Sequence, residues 1–277
     1  MSPAKDRTEE VAGGTLRAPA SLVVAHPGHE LLAFGWLTRV RPSVFVVTDG
    51  SGRDAEPRID ASARLLAGGL GTRASVFGRW TDRDLYDALY EGRFGPFLTL
   101  RDELVEAWCA EKVQTVICDA YERRILMHDV VQITASAAVD VAAQRGVAIE
   151  MLELPIYLGP SDARPGDPPL TTSLVMTDEV LAQKIEAAWA YESEVVRQEV
   201  ETFLGARSAE VFRVETLLHS IPRTPDELER EPQPAWEAHG ERLVREGVYN
   251  RIIRLRQHLV PLARALELSS RVVSESG

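Results

Sequence analysis

Ser21-Leu-Val-Val-Ala25 running into His26-Pro-Gly-His29-Glu30 is the stretch from which the fold of this chain is read. The first five residues form an apolar, partly β-branched run of strand length. The next five place two imidazoles and a carboxylate at its carboxyl end. Open α/β sheets gather their chemistry at the carboxyl ends of their strands. Imidazoles three residues apart across a Pro-stiffened turn can converge on one metal ion, while a histidine taken singly is more often an ordinary hydrogen-bonded side chain than a ligand.

Outward from this stretch the same rhythm repeats. Ser43 to Thr48, Ala74 to Gly78, Gln114 to Asp119 and Ala148 to Leu154 are short runs, near-continuously apolar as in strands buried on both faces. Between them Ile59 to Leu70, Arg83 to Leu89, Leu100 to Lys112 and Asp129 to Gln144 have helical spacing, and Thr81-x-x-Asp84 and Thr99-x-x-Asp102 resemble capping boxes. Strand-helix alternation predicts a parallel, right-handed α/β sandwich. Gly159 to Pro169 is expected as a loop at the rim of the site, and Thr177 as the cap of a long helix running towards Leu204. Glu237 to Leu268 carries apolar residues at helical spacing, with a kink or stop expected at Pro261. The expected organisation is a flexible tail over 1–20, an α/β domain over 21–221, and a linker with a C-terminal helical extension over 222–277. That extension packs on the domain or serves as a homo-oligomer interface.

With 277 residues, 45% hydrophobic and 26% charged, the chain has an ordinary globular composition. A formal net charge of −11 argues against a nucleic-acid or anionic-membrane surface, either of which needs a basic field. Small-molecule or protein partners fit better. Met1 to Ala20 is polar and no later segment approaches the ~20 apolar residues of a membrane span, so a cytoplasmic protein is expected. Cys109 and Cys118 lack metal-pair spacing and read as small buried hydrophobes.

Gly68, Gly69 and Gly71 follow a helix rather than a strand, which suits a helix end better than a phosphate cradle. There is no G-x-S-x-G elbow and no P-loop. Thr48-Asp-Gly-Ser-Gly52 closes the second strand beside the end of the first, so Asp49 is either a carboxylate supporting an imidazole ligand or a turn-forming residue. His128 opens the helix after the strand ending at Asp119 and can descend on the crevice that holds His26 and His29. Three ligands with an open fourth position is what a catalytic zinc needs, and it would bring a bound water's pKa to ~7. His219, His239 and His258 lie in surface-like or helical sequence and are poorer candidates.

The strand followed by A-H-P-x-x-E, the T-D-G-x-G after the second strand, the late histidine opening a helix, Lys184, Tyr191-x-Ser193-Glu194 and Ala209-Glu-Val-Phe212 together resemble the LmbE/PIG-L N-deacetylase family, over about Ser21 to Val214. The resemblance implies a three-layer αβα sandwich with a mostly parallel, Rossmann-like sheet. It also implies zinc-dependent removal of an N-acyl group from a glucosamine derivative. The family's first and distant histidine ligands fall on His26 and His128. Its A-H-P-D-D-E reads A-H-P-G-H-E here, so the Asp ligand becomes His29 and the Asp base becomes Gly28. The family's H-P-D-H falls on Ile125-Leu-Met-His128, which puts Ile125 where a histidine helps polarise the substrate carbonyl.

A glycine cannot take a proton, and a general base is typically worth ~10²–10⁴ in rate. Loss of a group that stabilises the oxyanion typically costs a further ~10²–10³. Glu30 and Asp49 are the replacement candidates, with Asp119 behind them, and His29 itself is either a ligand or the base. The expected activity is that of a divergent zinc hydrolase with His26, His29 and His128 as ligands, acting on an N-acyl amino sugar or related amide. The alternative is a degenerate relative that binds a ligand or partner without hydrolysis.

Overall fold

Alternate residues of the run Ala20–Val24, strand β2, enter two different cores. Val23 packs with Phe45 and Cys118 on one side, and Leu22 and Val24 pack with Val44, Val46 and Ile117 on the other. A strand buried on both faces has no polar side to show, which is why the run reads as continuous. The computed structural model describes residues 10–12, 16–52, 56–156, 170–191, 198, 201 and 212–275. Besides β2, the described strands are β1 (Glu10–Ala12), β3 (Ser43–Thr48), β4 (Thr72–Trp80), β5 (Thr115–Asp119), β6 (Glu150–Leu154), β7 (Leu170–Val175) and β8 (Val214–His219). They form one sheet in the order β1-β7-β8-β6-β5-β2-β3-β4. The β6-β5-β2-β3-β4 part is parallel, and β8, β7 and β1 extend it antiparallel.

Helices cover both faces, giving the three-layer α/β sandwich. One face carries α1 (Phe34–Val40), α2 (Ile59–Leu65) and α6 (Asp178–Ala190), and contributes Trp36, Leu37 and Leu181 to the core. The other carries α3 (Asp82–Tyr90), α4 (Gly95–Glu111) and α5 (Leu126–Gln144), with Leu89, Leu104, Trp108 and Val130. From β2 the chain steps outward to β3 and β4, then returns to β5 on the other side of β2. The strand order therefore reverses between β2 and β5, and the crevice at their carboxyl ends is where sheets of this kind bind ligands.

The expected capping box at Thr81 is present, with Thr81 and Asp84 each bonding the other's backbone, whereas Thr99 lies inside α4, which starts at Gly95 with Pro96 in its first turn. Thr177 caps α6 through the Val180 N–H. The Gly159 to Pro169 loop lies outside the described residues. In the segment expected as a tail, β1 pairs with β7, Leu16 is buried, and the Arg17 N–H donates to Thr115 Oγ1.

The C-terminal part folds as α7 (Pro225–Arg230), α8 (Ala235–Arg245), a π-turn over Leu255–Leu259 and α9 (Val260–Glu275), with Pro261 in the first turn of α9. Its Leu228, Trp236, Leu255, Leu259, Leu262 and Leu266 belong to the same core as α3, α4 and α5. Of the expected apolar stripe, Leu255, Leu259 and Leu262 are buried within the chain, Leu243, Val244 and Ile252 are half-buried, and Val248 is exposed. No described helix is long and apolar enough to cross a membrane.

Candidate metal centre

The turn after β2 brings its residues to the crevice through a conformation that glycine favours. Gly28 has φ +107°, and its N–H donates to Glu30 Oε2 at 2.8 Å. A short 3-10 turn, His29–Ala33, follows and leads into α1. Glu215 on β8 accepts the N–H groups of Gly35 and Trp36 at the start of α1 and pairs with Lys184 on α6 at 2.7 Å, so two neighbouring elements pin this turn. Gly50, after β3, packs so closely that a Cβ there would stand 2.8 Å from Pro27 Cδ.

Three imidazoles meet at this point. The ring centroids of His26 and His29 are 5.5 Å apart, those of His26 and His128 5.5 Å, and those of His29 and His128 4.7 Å. Imidazole nitrogens lie about 2.0–2.1 Å from a zinc ion, so three rings on tetrahedral directions stand with centroids about 5 Å apart. The observed spacings bracket that value. Among the described residues, the group whose possible ligand atoms all lie within 4.8 Å of one another is His29, Asp119 at the carboxyl end of β5, and His128; His26 is not in it, although its ring stands beside both imidazoles.

Carboxylates stand behind two of the rings. His29 Nδ1 is 2.9 Å from Asp119 Oδ1, and Asp119 Oδ2 also accepts the Ala25 N–H at 2.7 Å. His26 Nδ1 is 3.0 Å from both Asp82 Oδ1 and Thr48 Oγ1, while Asp82 Oδ2 accepts the Gly52 N–H at 2.7 Å. An ionised carboxylate only accepts, so His29 Nδ1 carries the proton and its Nε2 is the ligand-competent nitrogen. Carboxylates placed behind ligating histidines in this way orient the rings and raise their basicity.

Burial works against ionisation of Asp119, but the His29 imidazole, His128 and the Ala25 N–H outweigh it and hold its carboxyl below the usual range. Asp82 is likewise held low, with burial opposed by His26 and the Gly52 N–H. Burial pushes the His128 imidazole down to about 3, which keeps it neutral, the form that ligates metals. His26 and His29 side chains are 16% and 15% exposed, whereas His128 and Asp119 are buried, so the centre opens to solvent at the two motif histidines. A buried nitrogen and oxygen donor set with one open side suits zinc.

The two residues expected to replace the base are placed differently. Glu30 is fully buried and accepts from the Gly28 N–H, the Ser62 hydroxyl and the Tyr191 hydroxyl. Asp49 Oδ1 accepts the Ser51 N–H at 2.9 Å, which is the turn-forming arrangement of Asp-Gly. Neither belongs to the metal-competent group among the described residues. The carboxylate supporting His26 is Asp82, which the sequence reading did not single out. It follows a strand that ends at the same sheet edge, and that position was the available signal. Ile125 precedes α5 in extended conformation with no side-chain cap, followed by the turn that presents His128.

No family model and no curated protein matches the chain. Among solved structures, the conserved protein TT1542 from Thermus thermophilus is similar over 76% of this chain and 96% of that one, at 20% identity and a TM-score of 0.50. A deacetylase triple mutant (Orf2*T) of the teicoplanin biosynthetic pathway aligns over 73% of this chain and 98% of its own, at 14% identity and a TM-score of 0.40. The likeness to TT1542 is one of fold.

Proposed function

We propose that the chain is a divergent metal-dependent hydrolase of the LmbE/PIG-L type, with zinc held by His26, His29 and His128. Its substrate is an N-acyl amino sugar or a related small-molecule amide. The observation that carries this reading is the convergence of three imidazoles, 4.7–5.5 Å between centroids, at the strand-order reversal between β2 and β5. The three imidazoles would hold the ion, which would supply Lewis-acid activation of a carbonyl and of a water with pKa ~7. The protein's part is orientation: Asp82 and Asp119 fix the rings of His26 and His29. Glu30 braces the turn between them through Gly28, Ser62 and Tyr191.

The test is direct. Purified protein carries near-stoichiometric zinc and hydrolyses N-acetylated glucosamine derivatives in a way that a chelator abolishes. A metal-free protein whose His26→Ala variant behaves as wild type refutes the reading.

A second reading is favoured by the engagement of Glu30, Asp49, Asp82 and Asp119 in bonds within the protein, together with Gly28 and Ile125. On it, the chain keeps the sheet and a metal but binds its ligand without turning it over. Restoring Gly28→Asp together with Ile125→His separates the two, because a gain of deacetylation over an inactive parent favours the second. A parent already active on the same substrates excludes it.

A further inference from the structure

The C-terminal part of the chain reaches the metal centre through one buried carboxylate. Asp129 directly follows His128, is 0% exposed, and takes three donors: the Glu122 N–H at 3.1 Å, the Arg123 N–H at 3.0 Å and the Trp236 indole N–H at 2.8 Å. Two of these donors sit in the loop joining Asp119 to α5, and the third comes from α8. The loop is held a second time by the same C-terminal segment. The Ala235 N–H donates to Arg123 O at 2.9 Å, Arg123 pairs with Glu231 at 3.1 Å, and the Tyr121 hydroxyl donates to Glu231 at 2.8 Å.

A carboxylate buried this deeply is tolerated only while its hydrogen bonds are made. With the indole donor gone, Asp129 turns towards another partner, and that change loosens the two loop N–H groups it holds. The loop spans the interval between Asp119 and His128, so the relaxation falls on both sides of the crevice. We infer that Trp236 is a positioning residue for the metal centre, acting through Asp129; the inference rests on the metal reading above. The C-terminal helices on this account complete the site's geometry as well as the core.

The experiment uses the full chain with Trp236→Phe, which keeps an aromatic ring and removes the donor, Asp129→Asn, and the double variant. Zinc dissociation constants are read by competition with a chromophoric chelator, and thermal midpoints are read on the metal-free proteins. Trp236→Phe weakens zinc binding about 10-fold or more, the range for losing a group that supports a ligand. The double variant binds no more weakly than the weaker single variant, because both changes break one linkage. A purely structural role lowers the midpoint and leaves the zinc constant in place. Zinc binding by Trp236→Phe equal to wild type, or two effects that multiply, overturns the inference. Should Trp236→Phe prove too unstable to purify, Asp129→Asn carries the same comparison. A wild-type chain that takes up no zinc removes the metal reading and this inference with it, whereas wild-type uptake with an unaltered variant constant overturns the inference alone.

Discussion

His26 Nδ1 lies 3.0 Å from Asp82 Oδ1, joining a residue of the turn after β2 to the first residue of α3. Asp82 reaches it from the edge of the sheet and is itself held by the Gly52 N–H. Loss of a carboxylate behind a ligating histidine typically costs about 10–100-fold in metal affinity. Asp82→Ala is expected to weaken zinc binding by that factor, and Asp82→Asn by less, because the amide oxygen still accepts from the ring. Chelator competition on the two variants checks the order, and equal affinities for wild type and Asp82→Ala would count against the arrangement.

Glu30 offers a sharper division between roles. Its carboxylate braces the turn through Gly28, Ser62 and Tyr191, so Glu30→Gln retains fold and hydrolysis while Glu30→Ala loses roughly 2–4 kcal/mol of stability as buried partners are left unpaired. Were Glu30 the base, Glu30→Gln would instead lose about 10²–10⁴ in kcat. Activity and urea unfolding measured side by side decide it.

Gly28 has a backbone that resists repair of the motif. At φ +107° a side chain is strained, and Gly28→Ala is expected to cost about 1–2 kcal/mol. Gly28→Asp carries the same strain unless its carboxylate finds a local partner. A stability for Gly28→Ala equal to wild type would show that the turn adopts another conformation.

Glu153 on β6 makes stability depend on pH. Burial first of all raises its carboxyl pKa, against the lowering pull of the Ser220 hydroxyl, Arg223, the Tyr121 N–H and the Gln132 amide. A raised folded-state pKa means that the native state binds more protons than the unfolded chain. The contribution is fully present below the unfolded pKa of ~4.3 and is lost as pH rises through the folded value. Relative to wild type, Glu153→Gln therefore gains stability as pH rises above about 4.3, until the folded-state carboxyl has ionised. A difference between the two proteins that stays constant with pH contradicts this.

Much of this was legible in the chain because the parallel strands are buried on both sides. Ser21 to Ala25, Ser43 to Thr48 and Gln114 to Asp119 announce themselves as unbroken apolar runs, and β2, β3 and β5 lie within a residue of them. β7 and β8 escaped notice because Leu-Thr-Thr-Ser-Leu-Val and Val-Glu-Thr-Leu-Leu-His mix polar residues into antiparallel strands, one of them the buried Glu215. The three histidines each adjoin a strand end or helix start, and the structure brings their rings together. Asp82 and Trp236 were missed because their contacts with His26 and Asp129 span 56 and 107 residues of sequence and exist only once the sheet has brought the elements together.

Whether His26, His29 and His128 hold one ion is read from elemental analysis of the purified chain beside its His29→Ala variant. Near-stoichiometric zinc is expected in the wild type, and its loss in the variant. A wild-type protein without metal, or a variant that keeps its full complement, would contradict it.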